Sequence, residues 1–499
     1  MDDRAPFDLV AWDRRDTASE TWRRSFLRYS TLRKLEAFVT EKLGQPATWV
    51  SPVKLGGYNF LCRMRVQGSD QDVMVRLPQP GIVQFSDEKT LREAAVVQFL
   101  TQNTRVPVPP VLLYGLSSLA PEVGPFLIIR HVENRGSISH TLTKPRQEDP
   151  DEADVLNPCI SGDVLEAFYN KIAVYLLQLF GSTFQRIGSL AQTGEHIFSV
   201  AGRPVTQNMD NMIGLANIPR TALPPEDTTY GTADEWYVAM AEMHMSQLIF
   251  QHNDLVATAD DCRNKYVARQ LFRRLAKQGR LSTFGFAEDD WSAQSRSQTS
   301  SVSAAPSGSG SFRLWCDDFR PSNMLLDGSD EIVAFVDWEF AYAAPTQFAL
   351  DPPWWLLLYV PEMWHTGIEG WTRDYEPRLE TWLRAMEKAE ISTGMGGFGL
   401  STYMRESWRN GRFWLNYAAR KSWAFDAIFW KCLDERFFGK REEEVTEYDL
   451  WKTRIQLLSE EERRAMEPFV TRKVEETRER ILVDWEDQEV KKRLAEVLF

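Results

Sequence analysis

The sequence predicts an α+β fold in two lobes, a small antiparallel sheet followed by a large, mainly helical part. Short strand-like runs bounded by turn residues lie between positions 47 and 133, for example 72–78. Helical spacing of apolar residues dominates afterwards, most clearly over 164–184. A chain of 499 residues with 43% hydrophobic residues is longer than one core usually supports and can fill two lobes.

Composition divides the chain further. An amphipathic pattern over 22–44 predicts a helix before the sheet, and the last segment is rich in charge but keeps helical apolar spacing, which suits either a docked helix or a partner contact. The predicted segments are an N-terminal helical extension (1–45), an N-lobe (46–133), a C-lobe (134–440) and charged C-terminal helices (441–499). Within the C-lobe, Ser, Gly and Gln enrichment over 286–311 predicts a flexible insertion.

The overall charge and the cysteines exclude several classes of protein. A net charge of −13 argues against a general nucleic-acid or anionic-membrane binder, because such binding needs clustered Lys and Arg. The five cysteines are odd in number and dispersed, which argues against a disulfide framework. No apolar run is long enough to cross a membrane, and the first residues lack the pattern of a signal peptide. We therefore expect a cytoplasmic protein.

The most informative stretch, 314–339, contains Asp318, Asn323 and Asp337 in an order typical of phosphoryl transfer. In kinases a loop carboxylate accepts the proton of the attacking hydroxyl, and an Asn five residues later and a second Asp hold Mg²⁺. Turn residues at 327–330 separate two strand-like runs, so a hairpin would bring Asn323 and Asp337 to one edge. The pattern predicts Asp318 as the catalytic base and the other two as metal ligands, with ATP and Mg²⁺ as cofactors.

Two features upstream suit a nucleotide-binding lobe. Gly56 and Gly57 lie between two strand-like runs and are predicted to form a lid over the phosphates, although an ordinary hairpin would show the same pattern. The apolar run at 126–129 leads into a polar connection, as expected for a hinge that holds an adenine through its backbone. His131 in this connection is expected to be structural, since no His/Cys cluster has zinc-ligand spacing.

With these motifs, the chain resembles the aminoglycoside phosphotransferase and choline kinase group of small-molecule kinases, and most closely the fungal members of that phosphotransferase family. The resemblance extends from about Trp49 to Asp351. It implies a protein-kinase-like fold, a small-molecule hydroxyl as acceptor, and a cation on the third strand that binds phosphate with a helical Glu as its partner. Those residues would be Arg76, where the family usually has Lys, and Glu93. Cys316 stands where the family usually has His.

Alternatives remain at this point. A protein kinase is disfavoured because no Ala-Pro-Glu closes an activation segment after Asp337. A pseudokinase that binds a nucleotide or a partner would account for Cys316 and Arg76. The acceptor is not identified: aminoglycosides are only the name of the family, and a fungal metabolite, a choline-like alcohol or a sugar would fit equally well. The many aromatic residues between 364 and 430 suit core packing better than a pocket.

Overall fold

The computed structural model describes residues 6–120, 122–144, 154–297, 302–306, 312–394, 397–441 and 445–498. The N-lobe begins with two helices and continues into an antiparallel sheet with strand order β1-β2-β3-β5-β4. Its elements are α1 (Leu9–Phe26), α2 (Tyr29–Leu43), β1 (Ala47–Leu55), β2 (Asn59–Val66), β3 (Val73–Pro78), α3 (Ser86–Asn103), β4 (Val111–Gly115) and β5 (Phe126–Arg130). This is the small antiparallel lobe that the sequence predicts.

Each face of this sheet is covered by a helix. Side chains alternate between the faces of a strand, and β5 shows this alternation: Ile128 packs with α2, whereas Leu127 and Ile129 pack with Ala94 of α3. Because α3 joins β3 to β4 across the second face, its charged side chains are carried to the edge of the sheet that meets the C-lobe.

The C-lobe is mainly helical and has only short strands. Its helices are α4 (Ile138–Leu142), α5 (Gly162–Gly181), α6 (Gln207–Ala216), α7 (Ala233–Phe250), α8 (Ala259–Lys277), α9 (Thr346–Ala349), α10 (Gly367–Thr393), α11 (Leu400–Asn410), α12 (Arg412–Arg420), α13 (Phe425–Ile428) and α14 (Asp434–Phe438). Its strands are β6 (Gly136–Ser137), β7 (Thr183–Phe184), β8 (Leu190–Gly194), β9 (Ile197–Val200), β10 (Phe312–Cys316), β11 (Met324–Leu326), β12 (Ile332–Phe335) and β13 (Ala341–Pro345). The predicted two-lobed α+β architecture is confirmed.

One continuous core fills this lobe, with α5 and α10 packed against each other. Trp371, Tyr375 and Trp382 of α10 are fully buried. These rings lie in the core, as the sequence favours, since each buries a large apolar surface and packs against a neighbouring ring, either stacked or edge-to-face. The C-terminal helices α15 (Glu460–Glu479) and α16 (Asp487–Ala495) dock on the body, and α15 begins with a capping box between Ser459 and Glu462. No helix among the described residues is long and apolar enough to cross a membrane.

Two expectations need correction. One helix was predicted over 22–44, but the segment belongs to two helices, because α1 ends at Phe26 and α2 begins at Tyr29. The flexible insertion predicted over 286–311 is packed in its first part: Trp291 lies against Phe284 and Phe437, and buried Asp289 accepts a hydrogen bond from Ser292 at 2.7 Å. The segment is polar on average, but apolar residues at its start, such as Trp291, pack against the C-lobe and order this part of it. Residues 298–301 and 307–311 of the prediction lie outside the described residues.

Candidate active site

The loop after β10 positions Asp318 and Asn323 side by side. Pro321 begins a single 3₁₀ turn that ends at Asn323, which turns the Asn side chain back toward the start of the loop. The Asn323 amide donates to the Asp318 carboxylate and to the Asp318 carbonyl, both at 2.9 Å. Arg320 lies 2.7 Å from the other carboxylate oxygen of Asp318. The side chain of the predicted base is therefore fixed from two sides.

The environment of Asp318 suits proton transfer near neutral pH. Burial raises the pKa of Asp318 to about 6, against the lowering effects of Arg320 and Asn323. A general base works best when its pKa lies near the operating pH. Asp318 can thus be ionised at neutral pH and still accept a proton readily.

Asp337 lies at the other end of the β11–β12 hairpin. The Val336 amide donates to the Asn323 carbonyl at 2.9 Å, so the end of the hairpin is bonded to the loop after β10. Asp337 itself has φ of 63°, a left-handed conformation that non-glycine residues adopt at an energetic cost. Conformations of this kind concentrate at functional sites. The side chain keeps 36% of its surface exposed, so its carboxylate remains accessible to a ligand.

Arg76 on β3 connects the N-lobe to this loop. Its guanidinium lies 2.6 Å from Glu93 of α3 and 2.8 Å from Asp337. Arg76 and Glu93 are both buried. The Nε of Arg76 is buried without a hydrogen-bond partner among the described residues. An unpaired buried donor of this kind costs free energy unless an acceptor such as a phosphate oxygen reaches it.

Three polar residues that the sequence analysis did not predict complete the cluster. Lys89 of α3 is fully buried and forms an ion pair with Glu339, which also accepts a hydrogen bond from the Asn59 amide at 2.8 Å. Glu339 lies 3.5 Å from Arg76. A signal existed for Lys89: it precedes Glu93 by four residues, so both side chains occupy one face of α3. No comparable pattern marks Asn59.

Charge in this cluster is not balanced. Arg76 and Lys89 face the three carboxylates of Glu93, Asp337 and Glu339, which leaves one negative charge in excess when all three are ionised. Burial raises the pKa of Glu93 to about 7, assisted by the two other carboxylates and opposed by Arg76. A cation bound beside Asp337 would offset the excess negative charge.

Magnesium suits the oxygen donors that are present. Asn323 and Asp337 offer an amide and a carboxylate oxygen on either side of the hairpin end. Among the described residues no group of three or more His, Cys, Asp or Glu side chains could hold a metal by itself. Mg²⁺ typically binds one or two protein carboxylates and completes its shell with water and substrate phosphates. The residues present therefore fit a metal that arrives with a nucleotide.

The predicted lid residues lie apart from these charges. Gly56 and Gly57 are exposed in the turn between β1 and β2, and a Cβ on Gly57 would meet no atom within 4 Å. The following residue, Tyr58, packs on Phe340 with 5.1 Å between ring centroids, and Lys89 lies 5.3 Å from the Tyr58 ring centroid. The turn is thus attached through Tyr58 to the segment between β12 and β13. A role of the two glycines over phosphates remains a prediction.

Cys316 and His131 are held in neutral form by their surroundings. The Cys316 thiol is buried 3.9 Å from the Asp337 carbonyl, and burial raises its pKa well above the usual value, so it stays a neutral thiol. His131 lies in the connection after β5, where its ring faces Glu133. Burial lowers the pKa of His131, so a neutral imidazole is favoured.

Comparison with known proteins adds little beyond the fold. No protein-family model matches the chain, and no curated protein matches its sequence. Several solved structures are similar in three dimensions. A macrolide 2'-phosphotransferase type I has 13% identity, with 87% of this chain and 98% of that chain covered and a TM-score of 0.38. An ethanolamine kinase from Plasmodium vivax has 12% identity, with 89% and 94% covered and a TM-score of 0.40.

A microcompartment-associated aminopropanol kinase has 14% identity, with 80% of this chain and 96% of that chain covered and a TM-score of 0.34. Likenesses with TM-scores this low decide nothing further about the chain. The stronger observation is internal: a strand Arg paired with a helical Glu in an antiparallel lobe, above a loop with Asp, Asn and Asp, resembles the arrangement in which protein kinases pair a strand Lys with a helical Glu.

Proposed function

We propose that the protein transfers the γ-phosphoryl group of ATP to a hydroxyl of a small molecule, with Mg²⁺ as cofactor. The observation that carries this proposal is the convergence of four separate segments on one cluster. Asp318 and Asn323 are joined by a hydrogen bond of 2.9 Å, and Arg76 lies within 2.8 Å of both Glu93 and Asp337. If the cluster only held the two lobes together through ion pairs, it would not need the buried carboxylate of Asp318 beside the amide of Asn323.

In the proposed reaction the acceptor hydroxyl attacks the γ-phosphorus while Asp318 accepts its proton. A bond forms between the hydroxyl oxygen and phosphorus, the bond from phosphorus to the β–γ bridging oxygen breaks, and ADP leaves. Asn323 fixes the orientation of Asp318, and Arg76 donates to phosphate oxygens through its unpaired Nε. Magnesium held by Asn323 and Asp337 would neutralise charge on the phosphates.

A second candidate is a pseudokinase that binds a nucleotide or a protein partner without transferring phosphate. One observation favours it: Arg76 is engaged by Asp337 itself at 2.8 Å, so a protein cation lies against a predicted metal ligand. The raised pKa of Asp318 favours the kinase, because a binding module has no use for a proton acceptor.

Thermal unfolding with and without Mg²⁺ and ATP tests the nucleotide site. Asp337→Asn should lose the magnesium-dependent stabilisation, whereas Asp70→Asn, a change of the same type at an exposed position, should keep it. A ligand at 100 times its Kd stabilises by about 2.7 kcal/mol. Absence of any shift at millimolar ATP would overturn both the kinase and the nucleotide-binding form of the pseudokinase.

Transfer itself is tested by the release of ADP in the presence of alcohol acceptors. The proposal predicts acceptor-dependent release that Asp318→Asn abolishes without loss of the ATP-induced thermal shift. ATP binding combined with release that is equal in Asp318→Asn and the wild type would favour the pseudokinase.

A further inference from the structure

A pocket opens beside the catalytic loop, on the C-lobe side. Aromatic and aliphatic residues make most of its wall, among them Leu176, Phe180, Trp315, Phe319, Trp338 and Trp354. Trp315, Phe319 and Trp354 are only half-buried, so the apolar surface reaches solvent at the mouth. Wide apolar surfaces with a few convergent polar groups are typical of small-molecule sites.

The pocket adjoins the predicted base. Cys316, Phe319 and Trp338 also line a small recess that contains Asp318 and Asn323. A molecule held in the apolar pocket would therefore lie next to the loop that carries Asp318, because the two share part of their wall. Proximity to the base distinguishes the pocket from a packing defect elsewhere in the core.

Arg420, at the end of α12, is the cation in the pocket. Its guanidinium carbon lies 4.3 Å from the ring centroid of Trp315 and 4.6 Å from that of Phe348. Stacking holds the group in place, yet its Nη1 is buried without a hydrogen-bond partner, and no carboxylate within the described part of the chain lies within ion-pair distance of it. A donor left unpaired beside an apolar wall indicates a ligand that brings an oxygen acceptor.

The carboxylate in the pocket wall is already satisfied. Asp351 accepts hydrogen bonds from the Ser407 hydroxyl at 2.5 Å and from the Asn416 amide at 2.9 Å. Both oxygens are thus engaged with helices α11 and α12. Asp351 therefore offers little to an incoming amine. Its charge interacts with that of Arg420, whereas the Nη1 donor of Arg420 stays unpaired.

We propose that this pocket is the acceptor site and that the acceptor is an apolar molecule with a hydroxyl and a carboxylate or carbonyl oxygen, which Arg420 binds. This inference rests on the proposed phosphotransferase activity and deepens it. It excludes polyamines and quaternary ammonium alcohols as preferred acceptors. The cavity measures about 60 Å³, far below the roughly 300–1,000 Å³ of pockets that enclose a whole ligand, so it holds the oxygen-bearing end of the acceptor beside Arg420 rather than the whole molecule.

A matched pair of probes separates the charge preference from size. 4-Hydroxybutanoate and 4-amino-1-butanol have the same chain length and opposite charge. Binding of each probe to the wild type is measured by ligand-observed NMR without nucleotide, and transfer to each is measured as ADP release. We expect the carboxylate to bind and react about tenfold better or more, because charge-assisted hydrogen bonds are the strong ones.

Variants assign the preference to Arg420. Arg420→Met should remove it and raise the KM for the carboxylate more than it lowers kcat, whereas Arg409→Met, at an exposed position nearby, should leave it unchanged. Ala349→Leu, which narrows the pocket, should weaken both probes equally. If Arg420→Met does not fold, the wild-type comparison of the two probes still decides.

Each outcome bears on one of the two proposals. Equal or better binding of the amine, or a carboxylate preference that survives Arg420→Met, would overturn the acceptor assignment. Selective binding of the carboxylate without any ADP release would retain the pocket and overturn the phosphotransferase activity. ADP release that is equal with the two probes would support the phosphotransferase activity and overturn the proposal that this pocket binds the acceptor.

Discussion

Lys89→Met should destabilise the protein strongly, because it leaves a buried carboxylate without its main partner. Lys89 is fully buried, and Glu339 is 3% exposed. Glu339 would keep the Asn59 amide at 2.8 Å and Arg76 at 3.5 Å, and Arg76 is already shared with Glu93 and Asp337. Breaking a buried ion pair by removing one partner costs about 3–5 kcal/mol. We expect the lower end of this range, since two weaker partners remain.

A double variant and an exposed control separate charge from packing. Lys89→Met combined with Glu339→Gln removes both charges and should recover most of the lost free energy of unfolding, because replacing a buried ion pair as a whole is often nearly neutral. Lys34→Met changes the same residue type on the exposed side of α2 and should cost less than about 0.5 kcal/mol.

The assay is urea unfolding followed by both Trp fluorescence and far-UV circular dichroism. Where the two transitions coincide, the midpoint and slope give the free energy of unfolding for each variant. A loss for Lys89→Met no larger than that for Lys34→Met would refute the buried ion pair. No recovery in the double variant would show that shape, rather than charge, accounts for the loss.

Two further predictions follow from the site and the fold. Because Asp318 must be ionised to accept a proton and its pKa is raised to about 6, kcat/KM should fall as pH decreases through 6. Arg320→Gln should move this limb to higher pH, by less than about one unit, since half-exposed ion pairs are worth about 1 kcal/mol or less; an unmoved limb would contradict the assignment. Trp291→Ala should destabilise by about 3 kcal/mol in the urea assay because the ring packs on Phe284 and Phe437, and a loss below about 1 kcal/mol would contradict the packed start of the insertion.

The sequence was sufficient for features that one segment determines. The β11–β12 hairpin between Asn323 and Asp337 lies within one segment, so turn residues and strand patterns were enough to predict it. The roles of Asp318, Asn323 and Asp337 in catalysis remain predictions. The two-lobed architecture also follows from local periodicity, because strands and helices are segregated along the chain.

Features that depend on contacts between distant segments were not predictable in this way. Lys89 and Glu339 are 250 residues apart, and charged residues are expected at the surface unless a partner is known. Trp291 was assigned to a flexible segment because the average composition over 286–311 conceals a few anchoring residues at its start. Contacts between distant segments, rather than local propensity, decide both cases: Lys89 pairs with Glu339 across the lobes, and Trp291 packs on Phe437 within the C-lobe.

The presence of Arg at position 76 does not by itself indicate a lost activity. A guanidinium is a planar fork that can contact two carboxylates at once. Through this group Arg76 joins Glu93 of α3 to Asp337, which follows β12. A Lys would reach one of them as a point charge.

The two partners differ in exposure: Glu93 is buried, whereas the Asp337 side chain is 36% exposed. An incoming phosphate and metal would therefore displace Asp337 from Arg76 at lower cost than Glu93, which leaves the guanidinium anchored to α3 with Nη2 and Nε directed to the phosphate. The kinase and pseudokinase proposals thus differ in one physical step, the exchange of Asp337 for phosphate at Arg76.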